Sequence, residues 1–448
     1  MSDSQERSRE GKNFLGILND LKRRPEDAAR ELNIDPQTIM AIIKGDLHLT
    51  PQIIAKCAGI WPVNKRDFYI IKDDCPEGVK IMRAEDSKST SRVMERAGKP
   101  YYEYRDTAMS SVSQFRPEWI KELCVVEDNN PNNENVRWNN GHFMHQFTYF
   151  IGPVNFYYYD ENGQKSVAVM NTGDSMYISP FVPHSFTTRA NPEGQQGLIL
   201  ALTYGNKIAG ETQQELSAIG ENLASNYALE FSKSKSFSSL FKFLRNSASL
   251  TNLELAKRTQ LDKREITELE EGRIPSFEEL KKLSTALNIP IRELLTEDLF
   301  GEKSPKVVIN HYKENLRWQH QENLPVYELV QLASVSTLPF SRSIELNVNS
   351  PSDNFELDLQ AGLHQYGYNV GDSTVQLNWQ CAGKDFSAIL SPGDSFYLKP
   401  FVKHNFRGKG KVLLLRIGGR SVGDAQHELS WIGKKNVKRA IAESMQWF

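Results

Sequence analysis

"GDSMYISPFVPHSF" occupies residues 173–186, and "GDSFYLKPFVKHNF" occupies residues 393–406 of the same chain. Upstream of each, "HQ" at 145–146 returns at 364–365, both times before an aromatic and β-branched stretch. Further up, "GKPYYEY" (98–104) has a weaker echo in "NLPVYEL" (323–329). Matches in the same order at nearly constant offset mean duplication. Both halves have short strands broken by Gly, Pro, Asn and Asp turns, the pattern of a sandwich or barrel. Each half follows a segment with apolar residues at helical spacing. The clearer is "TNLELAKRTQLDKREITELEEGRIPSFEELKKLSTALNIPIRELL" (251–295), and the other is "FLGILNDLKRRPEDAARELNIDPQTIMAIIKGDLHLTPQIIAKCAGI" (14–60). Within them "AARELNID" (28–35) matches "LAKRTQLD" (255–262).

The helical segments resemble the helix-turn-helix domain of phage-repressor type. The "GD…P…PH" pattern resembles the second cupin motif, in which a strand pair carries a metal-binding histidine into the barrel mouth. The expected fold class is α+β: a tandem repeat of an all-α helix-turn-helix module followed by a cupin (double-stranded β-helix) barrel. The expected domains are helix-turn-helix module 1 (1–80), a metal-binding catalytic cupin (81–225), module 2 (226–300), a degenerate cupin without metal (301–430) and a C-terminal helix (431–448).

At 448 residues the chain is too long for one ordinary core. A formal net charge of −2 gives no global field for nucleic acid or an anionic membrane. No apolar run reaches the roughly 20 residues of a membrane span, and "MSDSQERSREGK" lacks the apolar core of a signal peptide. Cys57, Cys75, Cys124 and Cys381 show no CxxC spacing, which argues against a zinc knuckle or a disulfide framework. A reduced, cytoplasmic location is expected.

Cupin sites usually draw two His and one Glu from the first motif and a third His from the second. In "NNGHFMHQF" (139–147), His142 and Gln146 have the spacing that separates the second His from the Glu, and His184 closes the second motif. On a strand, positions i and i+4 share a face, so His142 and Gln146 reach one ion while His145 points away. Two imidazoles and one amide oxygen leave three positions open on an octahedral Fe(II). The neutral amide leaves the ion more positive than a carboxylate triad does, which favours an anionic substrate and O2 as co-ligands. These donors do not distinguish Fe(II) from Mn(II).

The second half acts as an internal control. It keeps Gln365 and His404, but Ala361 falls at the place of His142. Arg96 falls opposite Gln321, Tyr104 opposite Leu329, Asn139 opposite Asp358 and Lys22 opposite Ser249. Loss of a cation, a phenol, an amide and a second cation from the metal-free copy is what an anion site confined to the first copy predicts. Arg offers fixed bidentate geometry to a tetrahedral oxyanion, and Lys adds a mobile charge. Asp174 and Tyr177 recur in both copies and read as structural. The stretch "EDNNPNNENVR" (127–137) reads as a mobile loop and lid, and the C-terminal stretch from residue 423 as helical.

"RAGKPYYEYRDTA", "NNGH" and "YISPFVPHSF" resemble throughout the hydroxypropylphosphonate epoxidase and hydroxyethylphosphonate dioxygenase family, helix-turn-helix plus cupin non-haem iron oxygenases. Members with a Glu ligand carry it in the segment leading to the second-motif His, where this chain has Ile178, beside the metal and with no carboxylate. The methylphosphonate-forming branch uses two His and one Gln, which matches His142, Gln146 and His184. The resemblance implies an Fe(II) cofactor and conversion of 2-hydroxyethylphosphonate and O2 to methylphosphonate and CO2, without a reductant or 2-oxoglutarate. It also implies that Arg96, Tyr104 and Asn139 hold the phosphonate, and that Tyr104 and Lys22 serve catalysis. Lys22 would close over the site from a helical module of the same or a neighbouring subunit of a homo-oligomer.

Three rivals remain open. One is the sister dioxygenase reaction, giving hydroxymethylphosphonate and formate. Another is a sugar-isomerase-type cupin that needs no O2. The third is a transcription regulator of the same layout. Its recognition helix should present Arg, Lys, Asn or Gln to bases. The candidates here are "DKREITELEEGR" (262–273), rich in carboxylates, and the mostly apolar "DPQTIMAIIKG" (35–45), so no nucleic-acid partner is expected.

Overall fold

Four helices open the chain, Asp3–Asp20, Pro25–Leu32, Pro36–Lys44 and Pro51–Ile60. Proline starts three of them, where its missing N–H would have no helical partner anyway. Asp35 and Thr50 cap two of them by accepting from the N–H groups of Thr38 and Ile53. Left-handed residues end the second and third, at Asn33 (φ 50°) and Gly45 (φ 81°). Phe14, Leu18, Ala28, Ile39, Ile42 and Cys57 form their core. The second module repeats the plan with Ser236–Ser247, Asn252–Thr259, Lys263–Glu271 and Phe277–Leu287. Its matching left-handed stops are Gln260 (φ 58°) and Gly272 (φ 117°), and Phe241, Leu255, Ile266 and Leu283 lie in a core of its own. This module falls in a separate compact unit, Gly210–Lys306 with Val335–Thr337.

The computed structural model describes residues 3–113, 115–204, 211–227, 235–296, 305–320, 326–336, 338, 340–351, 356–417, 436–437 and 445–446. Most of the expected C-terminal helix (431–448), and Gln321, lie outside them. Among the described residues no helix is long and apolar enough to cross a membrane.

The strands of the first half are β1 (Val79–Met82), β2 (Arg92–Arg96), β3 (Lys99–Arg105), β4 (Arg116–Glu122), β5 (Val125–Val126) and β6 (His145–Ile151). They continue with β7 (Val154–Tyr159), β8 (Lys165–Met170), β9 (Ser175–Ile178), β10 (His184–Arg189) and β11 (Leu198–Tyr204). The second half has β12 (Val307–Asn310), β13 (Arg317–His320), β14 (Tyr327–Gln331), β15 (Ser341–Ser350) and β16 (His364–Asn369). It ends with β17 (Val375–Cys381), β18 (Lys384–Leu390), β19 (Ser395–Leu398) and β20 (Lys403–Ile417). In the first half a sheet ordered β12-β9-β6-β11-β4-β3-β2 packs on β5-β10-β7-β8. Ile120, Phe150, Phe156, Met176, Phe186 and Ile199, drawn from both sheets, share one core. The second half repeats the arrangement, with the long β20 joining both layers.

One feature of the sheets corrects the contiguous blocks 81–225 and 301–430. The strand after the first helical module, β1, pairs with β19 of the second half, and the strand after the second module, β12, pairs with β9 of the first. Each half thus covers an edge of the other that would otherwise expose unpaired backbone groups. The repeated "GD" holds these crossings. Asp174 accepts from the Tyr312 N–H at 2.8 Å, and Asp394 accepts from the Ala84 N–H at 2.9 Å and from the Arg83 guanidinium. Gly173 (φ 92°) must lack a side chain, since a Cβ there would lie 2.6 Å from the Tyr312 ring. Deeper in, the buried Glu345 accepts from the Tyr149 and Tyr312 hydroxyls at 2.6 and 2.9 Å, tying the two barrels together.

The 127–137 segment is an exposed stretch of local turns tied to the barrel at a few points. Asp128, Asn130 and Asn133 side chains accept from the N–H groups of Asn130, Asn132 and Asn135, and Val136 is buried. The Asn155 amide donates to Asp128 O, and Arg137 N donates to the Tyr101 hydroxyl.

Candidate metal centre and anion pocket

β6 begins at His145, so His142 sits in the bend before the strand and not on it. The parity route to the site is therefore corrected, yet the side chains still meet. Phe181 N donates to His142 O at 2.9 Å and sets the bend. Gly141 (φ 72°) is required there, because a Cβ would come within 2.6 Å of the Phe181 backbone. His142 Nε2 ends 3.2 Å from Gln146 Oε1. Adjacent donors on an ion with bonds of about 2.1 Å stand about 3 Å apart, so this pair fits one cation. The Gln146 NH2 donates to Thr148 Oγ1 at 3.0 Å, which turns Oε1 toward the cavity.

His184 completes the set from the start of β10. Its Nδ1–H donates to Val182 O at 2.8 Å, which fixes the tautomer and turns the Nε2 lone pair to the cavity, where it accepts from the Asn139 NH2 at 3.0 Å, a bond a metal would displace. Burial, with the neighbouring charges of His142 and Arg96, lowers its pKa to about 4, so the ring is neutral. The two rings meet edge-on, centroids 5.1 Å apart. His142 Nδ1 is buried without a partner, so that ring is oriented by its contacts with Gln146 and His184. Among the described residues no group of three His, Cys, Asp or Glu side chains could hold a metal. A three-donor site here therefore needs the Gln146 amide. His145 turns away and hydrogen-bonds the Tyr177 hydroxyl at 2.7 Å, and His364 repeats this with Tyr397 at 2.6 Å.

The three donors border a cavity of about 140 Å³ that Arg96, Tyr104 and Asn139 also line. Arg96 comes from the end of β2, where its guanidinium lies over the Tyr101 and Tyr102 rings and donates to Arg137 O at 2.5 Å. It has no carboxylate partner among the described residues, so its remaining N–H groups are available to an anion. Asn139 Oδ1 accepts from the N–H groups of Gly141 and His184, which forces its NH2 into the pocket, 3.0 Å from His184 Nε2. Burial raises the pKa of the Tyr104 phenol, keeping it a neutral donor. Ile178 lies directly across from Gln146 on β9, and its side chain belongs to the apolar core. Lys22 is not among the lining residues: it follows the first helix, and its Nζ donates to Asn19 O at 3.3 Å.

The second barrel shows why it lacks the metal set. Phe401 N donates to Ala361 O just as Phe181 N does to His142 O, so Ala361 stands at the place of His142. Across β16 and β20, Gln365 faces Arg416, as Gln146 faces Thr203 across β6 and β11. The Arg416 Nε–H donates to Gln365 Oε1 at 2.7 Å, so a guanidinium takes the oxygen that an ion would need. Burial lowers Arg416 only to about 10, which leaves it a cation. His404 Nε2 stays buried with no partner. The pairing also corrects the counterpart of Asn139. Asn139 N donates to His184 O and Leu359 N donates to His404 O, so Leu359 and not Asp358 takes that place. Restoring the missing imidazole and removing the guanidinium together, as Ala361→His with Arg416→Thr, is expected to add a second divalent-ion equivalent per chain in a Co(II) titration. Ala361→His alone should not, and a double variant that still binds one equivalent would disprove this account.

Sequence reasoning missed two carboxyls on β4, one half-buried and one buried. Glu118 lines the pocket, and burial raises its pKa to about 7. Glu122 is fully buried with neither oxygen hydrogen-bonded, and its pKa is raised well above the ordinary carboxylate range. Strand register aligns them with Ile344 and Val348 in the second half, a signal hidden by the dissimilarity of "RPEWIKE" (116–122) and "RSIELNV" (342–348).

Residues 241–294 match the helix-turn-helix family. The methylphosphonate synthase of Nitrosopumilus maritimus is 53% identical over 442 residues, 98% of this chain and 95% of that protein. The 2-hydroxyethylphosphonate dioxygenase of Streptomyces viridochromogenes is 24% identical over 74% of each chain. The crystallised Streptomyces albus 2-hydroxyethylphosphonate dioxygenase (HEPD), with substrate and Fe(II) bound, superposes over 100% of both chains with TM-score 0.89 and 35% identity. With fold, length and sequence in agreement over nearly every residue, the chain belongs to the methylphosphonate synthase and 2-hydroxyethylphosphonate dioxygenase family.

Proposed function

We infer that the protein is a non-haem Fe(II), O2-dependent oxygenase that cleaves the C–C bond of 2-hydroxyethylphosphonate to give methylphosphonate and CO2. The observation that carries the product assignment is the donor set: His142, His184 and the Gln146 amide, with Ile178 in place of a carboxylate across from it. The 53% identity to a methylphosphonate synthase supports the same choice. When bound, Fe(II) supplies adjacent open positions and the electronic means for O2 to react with the substrate.

The chain's own groups do the rest. Arg96 offers a bidentate face to the phosphonate, the Asn139 NH2 donates beside the metal ligands, and the neutral Tyr104 phenol donates from the opposite wall. The small cavity, walled by protein, strengthens each of these charge-assisted contacts. Lys22 does not line the pocket of its own chain, and we propose that it reaches the site of a neighbouring copy in a homo-oligomer. Four free cysteines agree with a cytoplasmic setting.

A phosphorus NMR spectrum taken after aerobic incubation of the Fe(II)-loaded enzyme with 2-hydroxyethylphosphonate tests the assignment. A methylphosphonate resonance is expected. Hydroxymethylphosphonate would select the dioxygenase reaction instead, and unchanged substrate would remove both.

A further inference from the structure

Glu118 and Glu122 sit four residues apart on one face of β4, in the barrel that carries the candidate metal donors and not in the other. Two registers place them. Tyr102 pairs with Glu122 and Tyr327 with Val348, and the two tyrosines are equivalent because their hydroxyls accept from Phe186 N and Phe406 N at 3.1 Å. Across the other edge Ala201 pairs with Glu118 and Leu414 with Ile344. Ile344 and Val348 pack in the apolar core of the second half. The fold therefore accepts aliphatic side chains at both places, and β4 has acids there for a reason other than packing.

Of the two, Glu118 lines the pocket shared by Arg96, Tyr104 and Asn139. No hydrogen bond or ion pair engages its carboxyl among the described residues. Arg92, the cation whose field reaches it, is already paired with Asp106 at 2.8 Å. A carboxyl so placed, half-buried and without a donor, resists ionisation, with its pKa raised to about 7, and an oxyanion bound beside it favours the protonated form further. A neutral acid facing a pocket built for an oxyanion has one productive use, because its O–H needs an acceptor and the oxyanion needs donors. We propose that Glu118 is a substrate-contacting residue whose protonated carboxyl donates a hydrogen bond to an oxygen of the bound phosphonate. It rests on the reading of this cavity as the phosphonate site, and adds a fourth donor to Arg96, Tyr104 and Asn139.

The test is calorimetric titration of the Fe(II)-loaded chain with 2-hydroxyethylphosphonate in the absence of O2, which reads affinity apart from turnover. Glu118→Met cannot donate and is expected to raise Kd about ten- to a hundredfold, the usual effect of losing a hydrogen bond to a charged group. Glu118→Gln keeps an N–H donor of the same length and is expected to stay within about threefold of the unaltered chain. Should Glu118→Met not fold, Glu118→Ile, which copies the second half, reads the same way. A donor-free variant that binds as tightly as the unaltered chain overturns the proposal. So does a Glu118→Gln chain as weak as Glu118→Met, which would assign the residue to packing. If the unaltered Fe(II) chain takes up no substrate, the phosphonate reading itself fails and the proposal with it, a result distinct from either of these.

Discussion

His142→Ala is expected to yield a folded chain that no longer retains a divalent ion through desalting. The variant copies what the second barrel already has, an alanine beside a glutamine and a histidine, and the backbone bond from Phe401 to Ala361 shows that the bend survives without the imidazole. Removing even an outer partner of a ligand typically costs 10- to 100-fold in metal affinity, so loss of one donor in three costs at least as much. Metal content by mass spectrometry, beside an unchanged unfolding midpoint, measures it. Full iron retention by the variant would mean that the ion is held elsewhere.

Arg96→Ala is expected to weaken 2-hydroxyethylphosphonate binding at least a hundredfold while leaving the metal content unchanged. Two charge-assisted hydrogen bonds at about 1.5–3 kcal/mol each account for that size. Arg96→Lys should recover only part of it, because an ammonium cannot present two parallel N–H groups and loses the stacking on Tyr101 and Tyr102. Anaerobic calorimetry of the Fe(II) form checks both variants. An alanine variant within threefold of the unaltered chain would mean that the phosphonate binds away from this arginine.

The duplication, the α+β plan and the residues of one shared cavity were legible because they sit in repeated, ordered motifs. His142, Gln146, His184, Arg96, Tyr104 and Asn139 all border one cavity. What stayed hidden depends on contacts between distant segments. The β1–β19 and β12–β9 pairings join residues far apart in sequence, and short strands carry no label for their partner. Glu118 and Arg416 become meaningful only once strand register sets each beside its counterpart, Ile344 and Thr203. The bend at Gly141 explains why a period-two rule placed His142 correctly for the wrong reason. Lys22 was singled out by comparing copies, and in one chain it lies away from the cavity.

The exchanged edge strands also set an order on biosynthesis. Val307 pairs with Ile178, so the outer edge of β9, the strand beside the amide-bearing β6, is covered only by residues translated well after it. A nascent chain that has emerged through residue 225 holds its ligands on a sheet with an open side, an aggregation-prone state until the downstream segment arrives. A gene cut between the repeats would encode two pieces that each lack a rim.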